Sequence, residues 1–129
     1  MHTLQRVMCI EDEPDIRSVV KLALEAVGGY SVLLCASGKE AIDKGAAFAP
    51  DFILLDAMMP GMDGPATLIA LRDIPALAKV PVAFMTAKVQ ASEIAGFKAL
   101  GALDVIAKPF NPRTLAATVQ SLWEQREGA

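Results

Sequence analysis

A run of apolar residues that leads directly into an aspartate constrains this chain more than any other stretch. Four consecutive residues, Phe-Ile-Leu-Leu, precede Asp56, and a loop rich in Pro and Gly follows at residues 59–64. A continuous apolar run of this length is typical of a strand buried on both faces of a parallel sheet. Because an isolated buried charge is costly, Asp56 is expected at the end of the strand. Open α/β sheets place their ligand sites there, so Asp56 is a candidate site residue.

Length and composition favour a single domain with a substantial core. The chain has 129 residues, of which 53% are hydrophobic, and its net charge is −3. We therefore expect residues 1–129 to form one domain. No apolar run approaches the ~20 residues of a membrane span, and no signal-peptide pattern begins the chain, so we expect no membrane association. The acidic balance argues against direct nucleic-acid binding, which usually needs a basic patch.

Both cysteines of the chain, Cys9 and Cys35, lie within apolar segments. Neither belongs to a CxxC motif, and the pair does not make a disulfide framework. We expect both to be reduced core residues of a cytoplasmic protein.

Five apolar, β-prone segments alternate with segments that have helical features. The predicted strands cover residues 4–10, 30–36, 51–56, 82–86 and 103–107. The predicted helices begin near Pro14, Ser37, Pro65, Gln90 and Pro112. Apolar spacing assigns inward-facing residues to the first, second and last helices, namely Ile16, Val19, Val20, Ala23, Leu24, Val27, Ala41, Ile42, Ala46, Leu115, Val119 and Leu122. Gly96 weakens the helix over residues 90–100, so we expect it to be the most mobile of the five.

This alternation, with short connections, predicts an α/β fold in which helices cover both faces of a parallel sheet. Four of the five strands end in polar residues that could carry chemistry, and these residues are Glu11, Asp12, Asp56, Thr86 and Lys108. The second strand ends only in Ser37, a helix cap. If that strand lies at the sheet edge, the other four ends can surround one crevice, because neighbouring parallel strands lie about 4.8 Å apart.

Three carboxylates in one crevice repel one another and resist ionisation. Mg²⁺ relieves such repulsion, since it binds one or two carboxylates, retains several waters and bridges to phosphoryl oxygens. The hydroxyl of Thr86 adds a donor, and the ammonium of Lys108 adds a compact charge suited to phosphate. Together these are the groups needed to form and hold a phosphoryl group on Asp56.

These residues give the chain a resemblance to the receiver domains of bacterial two-component response regulators, over essentially its whole length. The matching segments are Glu-Asp at 11–12, Leu-Leu-Asp-Ala-Met-Met-Pro-Gly-Met-Asp-Gly at 54–64, Thr-Ala at 86–87 and Lys-Pro-Phe at 108–110. The resemblance implies a doubly wound, flavodoxin-like sheet of five strands in the order 2-1-3-4-5 with five helices. It also implies a signalling module, not an enzyme with an external substrate.

The resemblance further implies a role for each site residue. Asp56 would receive a phosphoryl group from a phosphohistidine of a sensor histidine kinase or a histidine phosphotransfer protein. Asp12, Asp56 and the main-chain carbonyl of Met58 would bind Mg²⁺, with Glu11 acting through water or at the outer shell. The Lys108–Pro109 peptide bond would be cis. His2 is the only histidine, so the chain is not expected to supply the phosphohistidine itself.

Two departures from the family pattern bear on signalling. Val105 occupies a position that is often aromatic, where the ring moves together with the hydroxyl that corresponds to Thr86. Met58 and Lys88 occupy positions that influence phosphoryl lifetime. We therefore expect Thr86 and either Val105 or the fourth helix to act as the switch. By resemblance, the partner surface would comprise the fourth helix, fifth strand and fifth helix.

Three other functions remain as alternatives. A haloacid-dehalogenase-type phosphohydrolase also uses an aspartyl phosphate, but it needs a second Asp where this chain has Met58. A flavodoxin-like cofactor binder needs a loop rich in Gly, Ser or Thr after the first strand, where acids stand here. A degenerate receiver used only for docking would not need the complete set of site residues. Asp63 precedes a glycine and is expected to be a turn or cap residue, not a catalytic one.

Overall fold

The computed structural model describes residues 3–128, and side chains within them through Arg126; His2 lies outside the described residues. The strands are β1 (Arg6–Ile10), β2 (Ser31–Cys35), β3 (Phe52–Asp56), β4 (Val82–Thr86) and β5 (Asp104–Ala107). The helices are α1 (Pro14–Leu22), α2 (Gly38–Phe48), α3 (Gly64–Arg72), α4 (Ala91–Ala99) and α5 (Leu115–Gly128). A π-helical segment, Ala23–Val27, continues α1, and a 3-10 turn, Pro75–Leu77, precedes β4.

The five strands form one parallel sheet in the order β2-β1-β3-β4-β5, with helices on both faces. This is the doubly wound, flavodoxin-like architecture that the family resemblance implied, with β2 at the edge. All five residues of β3 are buried, as are all five of β4. The predicted strands are all present, and four of them are shorter than predicted by one or two residues.

Alternation along the strands divides the core into two layers, one on each face of the sheet. One layer includes Cys9 of β1 and packs against α1 and α5, and Val119 is among its fully buried members. The other layer includes Cys35 of β2 and packs against α2 and α3. The two cysteines are therefore buried on opposite faces as free thiols, which agrees with the prediction of reduced core residues.

The inner face of the first helix differs from its prediction. Val20 and Leu24 are buried as expected, but Val19 is 38% exposed and Val27 is 63% exposed. A π-helical turn contains more residues than an α-helical turn, so the segment Ala23–Val27 leaves the 3.6-residue period on which the prediction rested. The changed phase turns Val27 away from the core.

The second helix also differs, because Ala46 was predicted to face inward and is exposed, whereas Gly45 is buried. A Cβ atom on Gly45 would lie 3.0 Å from the side chain of Leu77 and 3.2 Å from that of Met8. The helix thus approaches the sheet with its glycine face, which a prediction based on apolar side chains does not identify.

The fifth helix begins at Leu115, whereas the sequence predicted its first turn at Pro112. Asn111 nevertheless acts as a local cap, since its side-chain oxygen accepts a hydrogen bond from the Arg113 N–H at 2.9 Å. Its carbonyl accepts from the Leu115 N–H at 3.1 Å. The predicted inner residues of this helix, Leu115, Val119 and Leu122, are all buried.

Helix α4 is attached to the rest of the fold less extensively than the other helices. None of its residues is buried, and its principal aromatic contact is Phe97 against Phe84, with ring centroids 4.6 Å apart. Gly96 lies in its interior, with nothing within 4 Å of the position of a Cβ atom. The mobility of α4 stays a prediction.

No helix within residues 3–128 is both long enough and apolar enough to cross a membrane.

Candidate functional site

The carboxyl ends of β1 and β3 bring three acidic side chains together. These strands are neighbours, with Ile10 paired with Leu55, so the residues that follow them meet at one edge of the sheet. One carboxylate oxygen from each of Glu11, Asp12 and Asp56 lies within 4.8 Å of the other two. The predicted convergence of these acids is therefore present. Glu11 is fully buried and Asp56 is 4% exposed, whereas Asp12 is partly exposed.

Lys108, which follows β5, joins two of these acids. Its Nζ atom lies 2.6 Å from Oε1 of Glu11 and 3.2 Å from Oδ1 of Asp56. The second carboxylate oxygen of Glu11 accepts a hydrogen bond from the Glu13 N–H at 3.1 Å. The buried charge of Glu11 is thus compensated by an ammonium group and a main-chain donor, as a buried carboxylate requires. The Lys108–Pro109 bond is cis, as the resemblance implied.

Burial and neighbouring charge alter the protonation of Asp56. The pKa of Asp56 is raised to about 7, first by desolvation and then by the hydrogen bond and negative charge of Glu11. The Met58 N–H opposes this effect by donating to Oδ1 of Asp56 at 3.2 Å. For Lys108, desolvation lowers the pKa, but the hydrogen bonds and charges of Glu11 and Asp56 outweigh it and raise the pKa above its ordinary value.

Thr86 and Met58 border the same cleft as Asp56. The cleft has a volume of about 170 Å³, and it is lined by Glu13, Asp56, Met58, Thr86, Ala87 and Lys108. Thr86 is 3% exposed, and its hydroxyl oxygen accepts a hydrogen bond from the Lys88 N–H at 3.0 Å. The Met58 side chain is 63% exposed and stands at the mouth of the cleft. Glu13, which the sequence analysis did not identify as a candidate, also lines the cleft.

Val105 is the one predicted site residue that belongs neither to this cleft nor to the acidic cluster of Glu11, Asp12 and Asp56. It pairs with Phe84 across β4 and β5, and it packs, partly buried, against the same core layer as Phe97 of α4. Val105 therefore lies in β5, on the face of the sheet against which Phe97 of α4 packs.

The acidic cluster has the chemistry of a site for a small divalent cation. Its donors are carboxylate oxygens from Glu11, Asp12 and Asp56, which are the ligand type that Mg²⁺ prefers. The raised pKa of Asp56 reflects the cost of holding its carboxylate in a buried position beside another acid. A cation bound there would lower that cost, so the residues present fit Mg²⁺.

Gly64 is a site residue that the sequence analysis treated only as part of a loop. A Cβ atom on Gly64 would lie 2.5 Å from the carbonyl oxygen of Asp56 and 2.7 Å from Cα of Ala57. Only glycine allows the start of α3 to approach the backbone of Asp56 this closely. Asp63 caps α3 by accepting a hydrogen bond from the Ala66 N–H at 2.9 Å, which confirms its prediction as a cap residue.

Comparison with known proteins identifies the family. The family model described as the response regulator receiver domain matches residues 7–120, which is most of the chain. The chain belongs to the response regulator receiver domains. This receiver is therefore a signalling module of two-component systems.

Two relatives of the receiver are transcriptional regulatory proteins of Bacillus subtilis. The chain is 38% identical over 116 residues to the transcriptional regulatory protein YvrH of Bacillus subtilis, covering 89% of this chain and 47% of YvrH. It is 37% identical over 118 residues to ResD, a transcriptional regulatory protein of the same organism, covering 91% of this chain and 47% of ResD. The receiver thus spans about half the length of these relatives.

Solved structures agree with this assignment. The chemotaxis response regulator CheY4 of Vibrio cholerae superposes with a TM-score of 0.85 at 32% identity, covering 93% of this chain and 99% of that one. The receiver domain of the Francisella response regulator 1452 gives a TM-score of 0.82 at 26% identity, covering 95% of this chain and 98% of that one. The receiver fold therefore accounts for nearly all of the chain.

Proposed function

We propose that Asp56 accepts a phosphoryl group from a phosphohistidine of a sensor histidine kinase or a histidine phosphotransfer protein. A carboxylate oxygen of Asp56 attacks phosphorus, the phosphorus–nitrogen bond breaks, and the imidazole nitrogen leaves with the bonding electron pair. The observation that carries this proposal is the cluster of the three carboxylates of Glu11, Asp12 and Asp56, in which the ammonium group of Lys108 contacts Asp56. A carboxylate nucleophile beside fixed positive charge is suited to phosphoryl transfer.

The proposed ligands of Mg²⁺ are Asp12, Asp56 and the main-chain carbonyl of Met58, with Glu11 acting through water or at the outer shell. A bound Mg²⁺ would neutralise the carboxylates and the oxygens of the incoming phosphoryl group. Asp12 is the more exposed of the two aspartates, so it can bind a cation that enters from solvent. The 3.1 Å bond from the Glu13 N–H leaves the buried Glu11 carboxylate with a fixed orientation.

Thr86 and Lys108 are the proposed catalytic residues. Lys108 already contacts Oδ1 of Asp56, so its ammonium group remains within reach of a phosphoryl group attached to that carboxylate. The Thr86 hydroxyl faces the same cleft and supplies a hydrogen-bond donor for a phosphoryl oxygen. The phosphoryl group is lost by hydrolysis: water attacks phosphorus and gives up a proton, the bond to the Asp56 oxygen breaks, and the carboxylate and inorganic phosphate are released. The only reactions proposed for the chain are thus its own phosphorylation and dephosphorylation.

The proposed output is a change in the surface formed by α4, β5 and α5, which binds a downstream protein. Thr86 and Val105 are the proposed switch residues. In support of this surface, α4 has no buried residue and can shift at low cost. We further propose that residues 1–129 act as one receiver domain in the cytoplasm, and that nucleic acid is not bound by this chain itself.

Phosphorylation with a small phosphodonor tests this function directly. Purified protein incubated with acetyl phosphate and Mg²⁺ is expected to gain one phosphoryl group, measured as an increase in intact mass. Asp56→Asn should gain none, because an amide oxygen is a poor nucleophile toward phosphorus. Removal of Mg²⁺ by EDTA should stop the reaction in the wild-type protein.

Asp63→Asn is the matched control, since it alters another aspartate of the same loop while retaining a side chain that caps α3. It should be phosphorylated like the wild-type protein. If Asp56→Asn gains phosphate at the wild-type rate, or if EDTA has no effect, the assignment of the phosphoacceptor is wrong.

A further inference from the structure

A single arginine binds two consecutive main-chain carbonyl groups in the loop that connects β1 to α1. Nη1 of Arg17 donates hydrogen bonds to the carbonyl oxygen of Glu11 at 2.8 Å and to that of Asp12 at 2.9 Å. The Arg17 side chain is partly buried, and its own main-chain N–H donates to the Glu13 carbonyl at 3.0 Å. Arg17 therefore ties the first full turn of α1 to the acidic segment that precedes it.

This contact coincides with a bend in the chain at Asp12. In an extended strand, successive side chains point to opposite faces, so two adjacent acids would not reach the same site. Carbonyl groups that accept from one nitrogen must instead point to the same side of the chain. The bend that Arg17 holds is thus what allows the carboxylates of both Glu11 and Asp12 to lie close to Asp56.

Among the described residues, the guanidinium group of Arg17 forms no ion pair with the acidic cluster, so the carboxylates of the cluster remain available to a cation. An arginine beside several acids commonly forms a bidentate pair with one of them, which would compete with a cation for the same oxygens. Within the described part of the chain, the ion pairs of the cluster involve Lys108 with Glu11 and Asp56, and none involves Arg17. Nη1 of Arg17 donates to main-chain oxygens, so this residue shapes the site without pairing with its carboxylates.

We propose that Arg17 is a positioning residue for the divalent-cation site: it holds the bend at Asp12 and so preorganises Glu11 and Asp12. This inference rests on the proposed Mg²⁺-dependent phosphorylation of Asp56. Removal of a group that orients metal ligands without touching the metal commonly weakens metal affinity by about 10- to 100-fold. Arg17 acts in this way through the main chain.

The test is the Mg²⁺ affinity of Arg17→Met, which keeps the apolar stem of the side chain and removes its donors. Isothermal titration calorimetry should show a dissociation constant raised by about tenfold. Phosphorylation by acetyl phosphate should be slow at low Mg²⁺ and return to the wild-type rate at saturating Mg²⁺. A thermal melt of Arg17→Met in EDTA distinguishes a positioning role from general damage, since a variant that is fully folded at the assay temperature without Mg²⁺ cannot owe its recovery to refolding by the cation.

Lys21→Met is the matched control, because it removes the same charge from an exposed position one turn further along α1. Its Mg²⁺ affinity should equal that of the wild-type protein. Arg17→Lys keeps the charge and can form at least one of the two bonds, so its affinity should fall between those of the wild-type protein and Arg17→Met. If Arg17→Met does not fold, Arg17→Lys decides the matter, and wild-type affinity in that variant overturns the proposal.

Two failures are distinguishable. If the wild-type protein is phosphorylated on Asp56 in a Mg²⁺-dependent reaction but Arg17→Met binds Mg²⁺ as tightly as Lys21→Met does, the role of Arg17 is refuted and the function stands. If the wild-type protein neither binds Mg²⁺ nor takes phosphate on Asp56, the proposed function fails, and the role of Arg17 fails with it.

Discussion

The hydroxyl oxygen of Thr86 accepts a hydrogen bond from the main-chain N–H of Lys88, 3.0 Å away. This bond joins the last residue of β4 to the loop that leads into α4. If the hydroxyl turns toward a phosphoryl group on Asp56, its orientation relative to the Lys88 N–H must change. The bond therefore gives a direct route from the proposed site of phosphorylation to the start of the least buried helix of the fold.

We predict that phosphorylation shifts residues 87–100 more than the side chain of Val105. Val105 is β-branched and short, so rotation of its side chain exposes little new surface. Helix α4 lacks buried residues, so a change at Lys88 can displace it at low cost. Amide NMR spectra recorded with and without beryllofluoride, a mimic of the phosphoryl group, measure the shift residue by residue.

Thr86→Ser supplies the control for this route, because it keeps the hydroxyl group, whereas Thr86→Ala removes it. The serine variant should retain the response of residues 87–100, and the alanine variant should show a much smaller one. Changes confined to the loops around Asp56, with residues 87–100 unaltered in the wild-type protein, would contradict the proposed displacement of α4.

Two glycine substitutions should change stability in opposite directions. Gly64→Ala places a methyl group 2.5 Å from the carbonyl of Asp56, against backbone that cannot easily move, so it should lower the free energy of unfolding by about 1–3 kcal/mol. Gly96→Ala meets nothing within 4 Å inside α4 and should raise it by about 0.5–1 kcal/mol. Urea unfolding of the two variants measures both changes. A Gly64→Ala protein as stable as the wild-type protein would show that the contact is relieved by a small backbone shift.

We predict that Mg²⁺ stabilises the native protein. A ligand that binds only the native state adds about 2.7 kcal/mol at one hundred times its dissociation constant. Asp12→Ala should remove most of this gain, because it removes a proposed ligand. Without Mg²⁺, the same variant should be more stable than the wild-type protein by about 1 kcal/mol, since one carboxylate of three mutually repelling ones is gone.

Thermal melts with millimolar Mg²⁺ and with EDTA measure both effects, and Asp43→Ala is their control. Asp43 is exposed on α2, outside the acidic cluster, so its loss should leave the response to Mg²⁺ unchanged. A melting temperature of the wild-type protein that does not respond to Mg²⁺ would count against a cation site in the cluster.

The sheet and the acidic cluster could be predicted from sequence because their signals are local. Apolar runs identify buried strands without reference to the rest of the chain, and the site residues lie directly at the ends of those strands. Parallel pairing then brings Glu11, Asp56 and Lys108 together, whatever the detailed packing of the helices. The topology itself rested on the family resemblance.

Features that depend on packing between elements could not be predicted in this way. The exposure of Val27 follows from a π-helical turn, and the burial of Gly45 follows from a close approach to Leu77. Arg17 carries no local signal either, since its importance lies in which carbonyl groups it reaches. In each case the decisive information is a distance between segments, which a residue pattern does not contain.

The last prediction concerns the lifetime of the phosphoryl group. Met58 stands at the mouth of the cleft beside Asp56, and its long apolar side chain is 63% exposed. A side chain in this position limits the approach of water to phosphorus, so Met58→Ala should accelerate dephosphorylation. We expect an effect on the order of fivefold, equivalent to about 1 kcal/mol of activation free energy.

Met58→Leu distinguishes shielding from any specific property of the thioether. Leucine is apolar and similar in volume to methionine, so the phosphoryl group of Met58→Leu should last about as long as that of the wild-type protein. Met58→Ala should lose its phosphoryl group faster. The rate is followed as the decay of the phosphorylated mass after the phosphodonor is removed. Slower decay in Met58→Ala would show that this side chain assists the attacking water, and shielding by Met58 would then be rejected. Equal decay in all three proteins would place control of the lifetime elsewhere, with Lys88, whose N–H donates to the Thr86 hydroxyl, as the next residue to substitute.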